Sequence, residues 1–264
     1  MHATIKSVSP YDVIFLHGAN TGNTTHEMCL QSTGVKGPHK RMTRTPSHLR
    51  SLAETLWPYP VIGVLVILIT APELVQWAAD MGWVGSVRWR GLLVQYGAFW
   101  PGLLQNWQPN YALQPWAMFI TYSFLHGGLA HLLGNLLVLL WVGPGLVKRL
   151  GQRDFLAIWI LSALGGAIAF ALLATAPTPM VGASGSVFGL LGAVVALQYI
   201  QSARYWKAAA ITLGLMALNV LTLIIENGFL AWQPHLGGYV IGMILGILWS
   251  KPASNLQISP KHRD

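Results

Sequence analysis

The chain has 264 residues, of which 53% are hydrophobic and only 9% are charged. Soluble domains carry roughly 25% charged residues, so this composition excludes an ordinary soluble fold and predicts a protein whose apolar surface faces lipid. The formal net charge is +8, but the basic residues lie between apolar stretches, which favours membrane topology over nucleic-acid binding as their explanation. The single cysteine, Cys29, excludes an internal disulfide.

Three regions follow one another along the chain. Residues 1–50 are polar and basic, and we predict a largely disordered cytoplasmic tail. Residues 51–252 form the predicted membrane domain, and residues 253–264 a short second cytoplasmic tail.

Six stretches of the membrane domain are apolar enough to span a bilayer, which takes about 20 residues. They are 57–78, 129–147, 153–174, 184–201, 206–225 and 233–250. Residues 79–128 are rich in Trp, Pro and Gly, and we expect a membrane-associated loop with amphipathic helices there. The sequence therefore predicts an all-α, polytopic membrane protein with six transmembrane helices and a long first loop.

The basic residues orient these spans. Basic residues precede the first span, separate the second from the third and the fourth from the fifth, and follow the sixth, whereas Arg88 and Arg90 lie in the first loop. With six spans, the first four groups fall on one face, and only Arg88 and Arg90 fall on the other. The positive-inside rule therefore predicts that both termini are cytoplasmic, whereas five or seven spans would spoil this alternation.

Polar residues inside a membrane are costly, so they indicate function. The predicted core has no lysine and no firmly embedded carboxylate, but it has His126, His131, His235 and the segment Gly182-Ala183-Ser184-Gly185. The second, fourth and sixth spans run in the same direction, and His131, Ser184 and His235 lie near their starts. We therefore expect these three side chains at similar depth near the outer face.

Glycine spacing predicts that the fourth and sixth spans pack closely. Gly185 and Gly189 are four residues apart in one, and Gly238 and Gly242 in the other, so each pair lies on one helix face. If these faces meet, the serine and the histidine at the starts of the two spans lie together. A neutral imidazole within hydrogen-bond reach can take the proton of a serine hydroxyl and make it a nucleophile.

Acyl transfer also needs donors for the developing oxyanion. His131 and Asn135 are spaced i, i+4 and share one face of the second span. The backbone N–H of Ser184, at a helix start, offers a third donor.

Three separated motifs resemble those of the rhomboid family of intramembrane serine proteases. His126 to Asn135 resembles its HxxxxHxxxN, Gly182 to Gly185 its GxSG, and His235 to Gly242 its HxxGxxxG. Each motif alone is weak, but three in the right order on the right spans are specific. The resemblance covers roughly residues 55–250.

The resemblance implies a Ser–His dyad that cleaves peptide bonds in or near the transmembrane helices of membrane-protein substrates, without cofactor or metal. Ser184 would be the nucleophile and His235 the general base, with His131 and Asn135 in the oxyanion hole. The remaining positions that the resemblance assigns to support of the active site are His126, Gly182, Gly185, Phe188, Gly238 and Gly242. Phe188 would stack near His235.

Two positions depart from the family pattern, and one alternative stays open. Ala117 and Val147 stand where the family often has Arg and Glu, which puts loop geometry or stability in doubt more than catalysis. Metalloprotease and Ser–Lys protease patterns are absent from the sequence, and Asp80 and Asp154 lie at span edges, which disfavours an aspartyl protease. The alternative is an inert rhomboid-like module that binds membrane proteins. The expected location is a bacterial inner membrane, with an organelle membrane as the alternative.

Overall fold

The computed structural model describes residues 59–175, 177–225 and 231–249, with the backbone alone for residues 218–225. In these ranges the chain forms eight α-helices and no strand, apart from a single bridge between Phe99 and Met180. The helices are α1 (Pro60–Asp80), α2 (Trp89–Gly97), α3 (Gln114–Thr121), α4 (Leu129–Leu150), α5 (Gln152–Leu173), α6 (Ser184–Val195), α7 (Tyr205–Ile225) and α8 (Gln233–Leu248).

The predicted all-α fold is confirmed, and each of the six predicted spans coincides with a helix. These are α1, α4, α5, α6, α7 and α8, and a π-helical turn, Ala196–Ile200, extends α6 to the predicted end of the fourth span. The predicted loop over 79–128 contains the short helices α2 and α3 and two 3₁₀ turns, Pro101–Leu104 and Tyr122–Phe124. The predicted tails, 1–50 and 253–264, lie outside the described residues.

The helix surfaces are apolar on the outside as well as the inside, as expected of a protein in lipid. Helices α1, α4 and α5 are long and apolar enough to cross a membrane, and α6 with its π-helical turn and α8 are shorter apolar helices. Ile67 of α1, Leu137 of α4 and Leu172 of α5 are 65%, 73% and 77% exposed. Patches of this kind on a soluble protein would drive association, whereas a bilayer covers them.

The two larger of three clusters of buried side chains hold most of the helices and the first loop together. The larger joins α1, α4, α5 and α6, with Ile69, Leu139, Trp159 and Leu190 almost fully buried. The smaller cluster joins the first loop to α5, and its members are Phe99, Met118, Tyr122, Ala167, Phe170 and Met180. The loop is therefore packed against the bundle.

Hydrogen bonds within the first loop fix its shape. The Thr121 hydroxyl donates to the Gly97 carbonyl at 2.7 Å, and the Gln114 amide donates to the Gln95 carbonyl at 2.7 Å. The Trp100 indole N–H donates to the Val94 carbonyl at 3.0 Å. The first two bonds tie α2 to α3, the third ties α2 to the segment after it, and all three satisfy backbone carbonyls that would otherwise face an apolar environment.

The expectation that the core has no firmly embedded carboxylate is wrong. Glu73 lies in the second half of α1, directly after Pro72, and its side chain is fully buried. Arg90 of α2 pairs with it, with 3.0 Å between Nη2 and Oε1. A carboxylate in an apolar helix is tolerated when a guanidinium neutralises it and satisfies its oxygens. The partner comes from the first loop, so the sequence of α1 gave no sign of it.

Candidate active site

The segment before α6 is held by backbone hydrogen bonds to the first loop. Met180 and Phe99 exchange two N–H···O bonds of 3.0 Å, and the Gly182 N–H donates to the Tyr122 carbonyl at 3.0 Å. Gly182 has φ +130°, a conformation that side-chain-bearing residues rarely adopt. A Cβ at Gly182 would also lie 2.7 Å from Cε1 of His131. Glycine is therefore required here on two grounds.

Ser184 is the first residue of α6 and is partly buried. At this position its backbone N–H has no acceptor within the helix. Its Oγ lies 3.6 Å from the point where a Gly182 Cβ would stand, beside the His131 ring. The hydroxyl and the His131 imidazole therefore lie close together beside Gly182.

The glycine faces of α6 and α8 pack against each other, as the spacing predicts. A Cβ on Gly238 would overlap the carbonyl oxygen of Gly185, and a Cβ on Gly242 would overlap that of Gly189. The same face continues at Gly192, where a Cβ would overlap the carbonyl of Tyr239. Backbone contacts backbone along three turns, so no larger residue fits without separating the helices.

His235 lies at the start of α8 and is 6% exposed. Its ring stacks on Phe188, with 4.3 Å between the ring centroids and 4° between the planes. Phe188 follows Ser184 by four residues and so lies about one helical turn below it on the same face of α6. Pro234, the residue before His235, places its carbonyl oxygen 3.4 Å from the Cβ position of Gly185. The structure thus brings the beginnings of α6 and α8 together.

His131 and Asn135 lie on one face of α4, as their spacing predicts. Asn135 is 6% exposed, and its amide Nδ2 donates to the His131 carbonyl at 3.2 Å. An amide has two N–H donors, so one is available for a second acceptor. The contact of the His131 ring with Gly182 places this face of α4 against the start of α6.

His126 lies in the first loop, three residues before α4, and is 1% exposed. Its ring meets the His131 ring edge to face, with centroids 5.2 Å apart and planes at 71°. Within the described residues neither ring nitrogen of His126 has a hydrogen-bond partner. Burial, with a smaller contribution from neighbouring His131, lowers the pKa of His126 to about 3. His126 is therefore neutral at physiological pH.

Helix α5 contributes to this region in a way that sequence reasoning missed. A Cβ on Gly165 would overlap Ile241 of α8, and a Cβ on Gly166 would lie 3.1 Å from the Tyr122 hydroxyl. That hydroxyl donates to the Ala163 carbonyl at 2.8 Å. The Gly165-Gly166 pair in the middle of an apolar run was the available signal. These two glycines let α5 pack closely beside α6 and α8.

The two departures from the family pattern, Val147 and Ala117, are not among the residues that form these site contacts. Val147 is 6% exposed and packs in the larger hydrophobic cluster, where a carboxylate would need a partner. Ala117 is partly buried in α3. No three His, Cys, Asp or Glu side chains lie close enough together to hold a metal ion in the described part of the chain.

The arrangement has the elements of nucleophilic acyl transfer. A hydroxyl lies at a helix start beside the His131 ring, and the His235 imidazole of the adjoining helix is held by an aromatic stack. Such groups can together activate a serine and stabilise an oxyanion. Of the sequence-predicted site residues, His126, His131, Gly182 and Ser184 lie together before and at the start of α6, Phe188 stacks on His235, and Gly185, Gly238 and Gly242 lie in the contact between α6 and α8. Asn135 lies one turn after His131 on the same face of α4.

Comparison with known proteins places the chain in a family. A family model described as Rhomboid domain matches residues 113–252. RHOMBOID-like protein 5 of Arabidopsis thaliana is 31% identical over 147 residues, 54% of this chain and 47% of that protein. Rhomboid protease GluP of Bacillus subtilis is 32% identical over 134 residues, 50% of this chain and 25% of that protein.

Rhomboid protease GlpG of Yersinia pestis is 28% identical over a longer region of 205 residues, 75% of this chain and 65% of that protein. The chain thus matches half or less of the length of the first two relatives and about two thirds of the third.

Proposed function

The chain belongs to the rhomboid family and is an integral membrane protein, and from this we propose that it is an intramembrane serine endopeptidase. Its substrates would be membrane proteins, cleaved in or near a transmembrane helix. The observation that carries the proposal is the stack of His235 on Phe188, one turn from Ser184, between two helices packed glycine to glycine. The names of two relatives, the rhomboid proteases GluP and GlpG, agree with it.

In the first step, His235 takes the proton of the Ser184 hydroxyl while Oγ attacks the carbonyl carbon of the scissile bond. The tetrahedral intermediate collapses, the C–N bond breaks, and the imidazolium gives its proton to the leaving amine. In the second step, His235 deprotonates a water that attacks the acyl-enzyme. The carboxylic product leaves, and the proton returns to Ser184. The stack on Phe188 holds the imidazole in one orientation through both steps.

The oxyanion would be bound by the Ser184 N–H, the second N–H of the Asn135 amide and the His131 ring. Removal of one such donor from a preorganised site costs about 3 kcal/mol of transition-state stabilisation. The buried surroundings strengthen these bonds because little water competes.

Substrate access follows from the chemistry of a helix in lipid. A transmembrane helix bonds its own carbonyls, so the segment at the scissile bond has to unwind before Ser184 can attack. We expect the helix to enter laterally between the spans, and water to reach the site from the non-cytoplasmic side. The family resemblance implies small residues near the scissile bond. The distribution of basic residues supports cytoplasmic termini, and we propose a bacterial inner membrane as the location.

A specific probe separates this proposal from the alternative of an inert binding module. The full chain in detergent is treated with a fluorophosphonate, and the adduct is mapped by mass spectrometry. We expect label on Ser184 and cleavage of a model transmembrane substrate, and loss of both in Ser184→Ala. The matched control is Ser186→Ala, two residues on in α6, where the buried hydroxyl donates to the Trp159 carbonyl at 2.8 Å. It should keep label and cleavage.

Two outcomes would decide against the protease. Cleavage that persists in purified Ser184→Ala would remove this serine from the chemistry. A folded wild-type protein with neither label nor cleavage, but with retained binding of transmembrane peptides, would favour the binding module.

A further inference from the structure

The guanidinium of Arg90, in the first loop, joins two other parts of the chain. Its Nη1 and Nη2 donate to the two carboxylate oxygens of Glu73 at 3.1 and 3.0 Å, and its Nε donates to Asp80 at 2.7 Å. Nη1 also donates to the backbone carbonyl of His126 at 3.3 Å. One side chain thus links α1, α2 and the residue that leads into α4.

This link is held firmly at its α1 end. The Glu73 side chain is fully buried, whereas those of Arg90 and Asp80 are 27% and 31% exposed. A buried carboxylate without a partner is strongly disfavoured, so Glu73 keeps the guanidinium in place with two parallel bonds. The fork is planar and rigid, which fixes the direction of the second N–H of Nη1 toward the His126 carbonyl.

From His126 a chain of contacts leads to the candidate active site. The His126 ring packs edge to face against the His131 ring at 5.2 Å. The His131 ring in turn occupies the position that a Cβ of Gly182 would need, next to the hydroxyl of Ser184. The His126 ring makes no hydrogen bond within the described residues. Its position therefore depends on its backbone and on packing, and the backbone is where Arg90 binds.

We propose that Arg90 is a positioning residue for the oxyanion side of the site, acting through His126 on His131. The inference rests on the proposed function, because it needs an oxyanion for His131 to bind. By this inference the Glu73–Arg90 pair positions a site residue in addition to joining α1 and α2. A shift of the His126 backbone tilts its ring and lets His131 leave the geometry that the transition state requires.

The test uses Arg90→Lys in the full chain. Lysine keeps the positive charge that Glu73 needs, but an ammonium lacks the planar fork and cannot reproduce all four contacts. Asp80→Asn is the matched control, because it weakens the exposed contact and leaves the bonds to Glu73 and His126. The rate of cleavage of a transmembrane substrate is divided by the number of active sites that a fluorophosphonate titrates. Misfolded protein, which does not react with the probe, is thereby excluded from kcat.

We expect kcat per titrated site and the phosphonylation rate each to fall about tenfold in Arg90→Lys while KM changes less than twofold, since only the transition state gains from the oxyanion donors. Asp80→Asn should stay within twofold of wild type in both constants. In a His131→Ala background, the effect of Arg90→Lys on the phosphonylation rate should shrink below threefold, because the residue through which Arg90 acts is gone.

Three results would overturn the inference. One is an unchanged kcat per titrated site in Arg90→Lys, even with lower thermal stability. Another is a full tenfold effect that persists without His131. If Arg90→Lys does not fold, Glu73→Gln takes its place, and an unchanged kcat there counts equally against the proposal. A wild-type protein that neither cleaves nor labels would instead defeat the proposed function, and the inference with it.

Discussion

Substitution of Gly238 by alanine tests whether glycine packing of α8 on α6 holds the candidate site together. A Cβ at Gly238 would overlap the carbonyl oxygen of Gly185 and lie 2.7 Å from its carbonyl carbon. Ordinary contact begins at 3.4 Å. The carbon alone therefore requires 3.4 − 2.7 = 0.7 Å of separation, and the oxygen requires more. Both neighbours are backbone atoms in helices, so a side-chain rotation cannot relieve the overlap.

Two opposing effects set the size of the result. Overpacking of this kind costs about 1–3 kcal/mol, whereas alanine in place of glycine stabilises a helix interior by about 1 kcal/mol. We expect net destabilisation of up to about 2 kcal/mol. The effect on activity should be larger, because a displacement of about 1 Å at a catalytic site costs on the order of 10²-fold. The displaced helix bears His235, three residues before the substitution.

The assay compares thermal unfolding and kcat/KM for a model transmembrane substrate in Gly238→Ala and Gly63→Ala. Gly63 lies in α1, and nothing stands within 4 Å of the position of its Cβ. Gly63→Ala should keep wild-type activity and equal or higher stability. A Gly238→Ala protein with kcat/KM within threefold of wild type would show that helix contact at this position does not set the site geometry.

Two further predictions concern aromatic and imidazole rings of the site. Phe188→Ala should lower kcat about tenfold, because the stack on His235 at 4.3 Å is lost and such pairs contribute about 0.5–1.5 kcal/mol. Phe188→Tyr, which keeps an aromatic ring, should retain most of the wild-type kcat. A steady-state kcat in Phe188→Ala equal to that of the wild type would contradict the role of the stack. Burial lowers the pKa of His126, in the first loop, to about 3, so between about pH 6.5 and pH 3 the unfolded chain binds a proton that the folded chain does not. The contribution of His126 to the free energy of unfolding is therefore complete above about pH 6.5 and is lost as the pH falls toward 3. His126→Leu should remove roughly 3 kcal/mol of the decline in unfolding free energy between pH 7.5 and 4.5, and parallel pH profiles of variant and wild type would refute this.

The sequence was sufficient to predict the helices and the contact between α6 and α8. Apolar runs of spanning length follow directly from the cost of unsatisfied backbone groups in lipid, and each predicted run is a helix. The glycine faces were predictable because residues four apart share a face whatever the rest of the fold does. The contacts of Gly238 with Gly185 and of Gly242 with Gly189 agree with that local rule.

The first loop was predictable in kind but not in detail. A segment rich in Trp, Pro and Gly indicates an irregular region with short helices, and α2 and α3 are there. Its contacts depend on which side chain reaches which distant acceptor, and spacing along the chain does not encode this. The bonds from Thr121 to Gly97 and from Gln114 to Gln95 join residues 24 and 19 positions apart.

Glu73 shows why a single local rule misleads. It lies within the first apolar run, yet the expectation was that the core holds no firmly embedded carboxylate. That run contains no lysine, arginine or histidine that could pair with it. The cation is Arg90, 17 residues later, beyond the end of α1. The carboxylate and the guanidinium come into contact only because the folded chain places α2 against α1. Arg90 is therefore largely neutralised, and Arg88 is the basic residue of this loop for which the described structure shows no ion pair.

The two sides of the candidate site are set by different physics, and this explains why the contact between α6 and α8 was predicted from the sequence, whereas the contacts from Arg90 through His126 to His131 were not. The proposed nucleophile and base lie on α6 and α8, whose separation depends on the absence of side chains, a property of residue identity that the sequence displays directly. The oxyanion side depends on His131, which packs against His126, whose carbonyl binds a guanidinium held by a buried carboxylate. Each step of that chain is tertiary. Changes in the glycine faces should therefore move both catalytic groups at once, whereas a change at Arg90 should leave the serine and imidazole in place and act on turnover through the oxyanion donors alone.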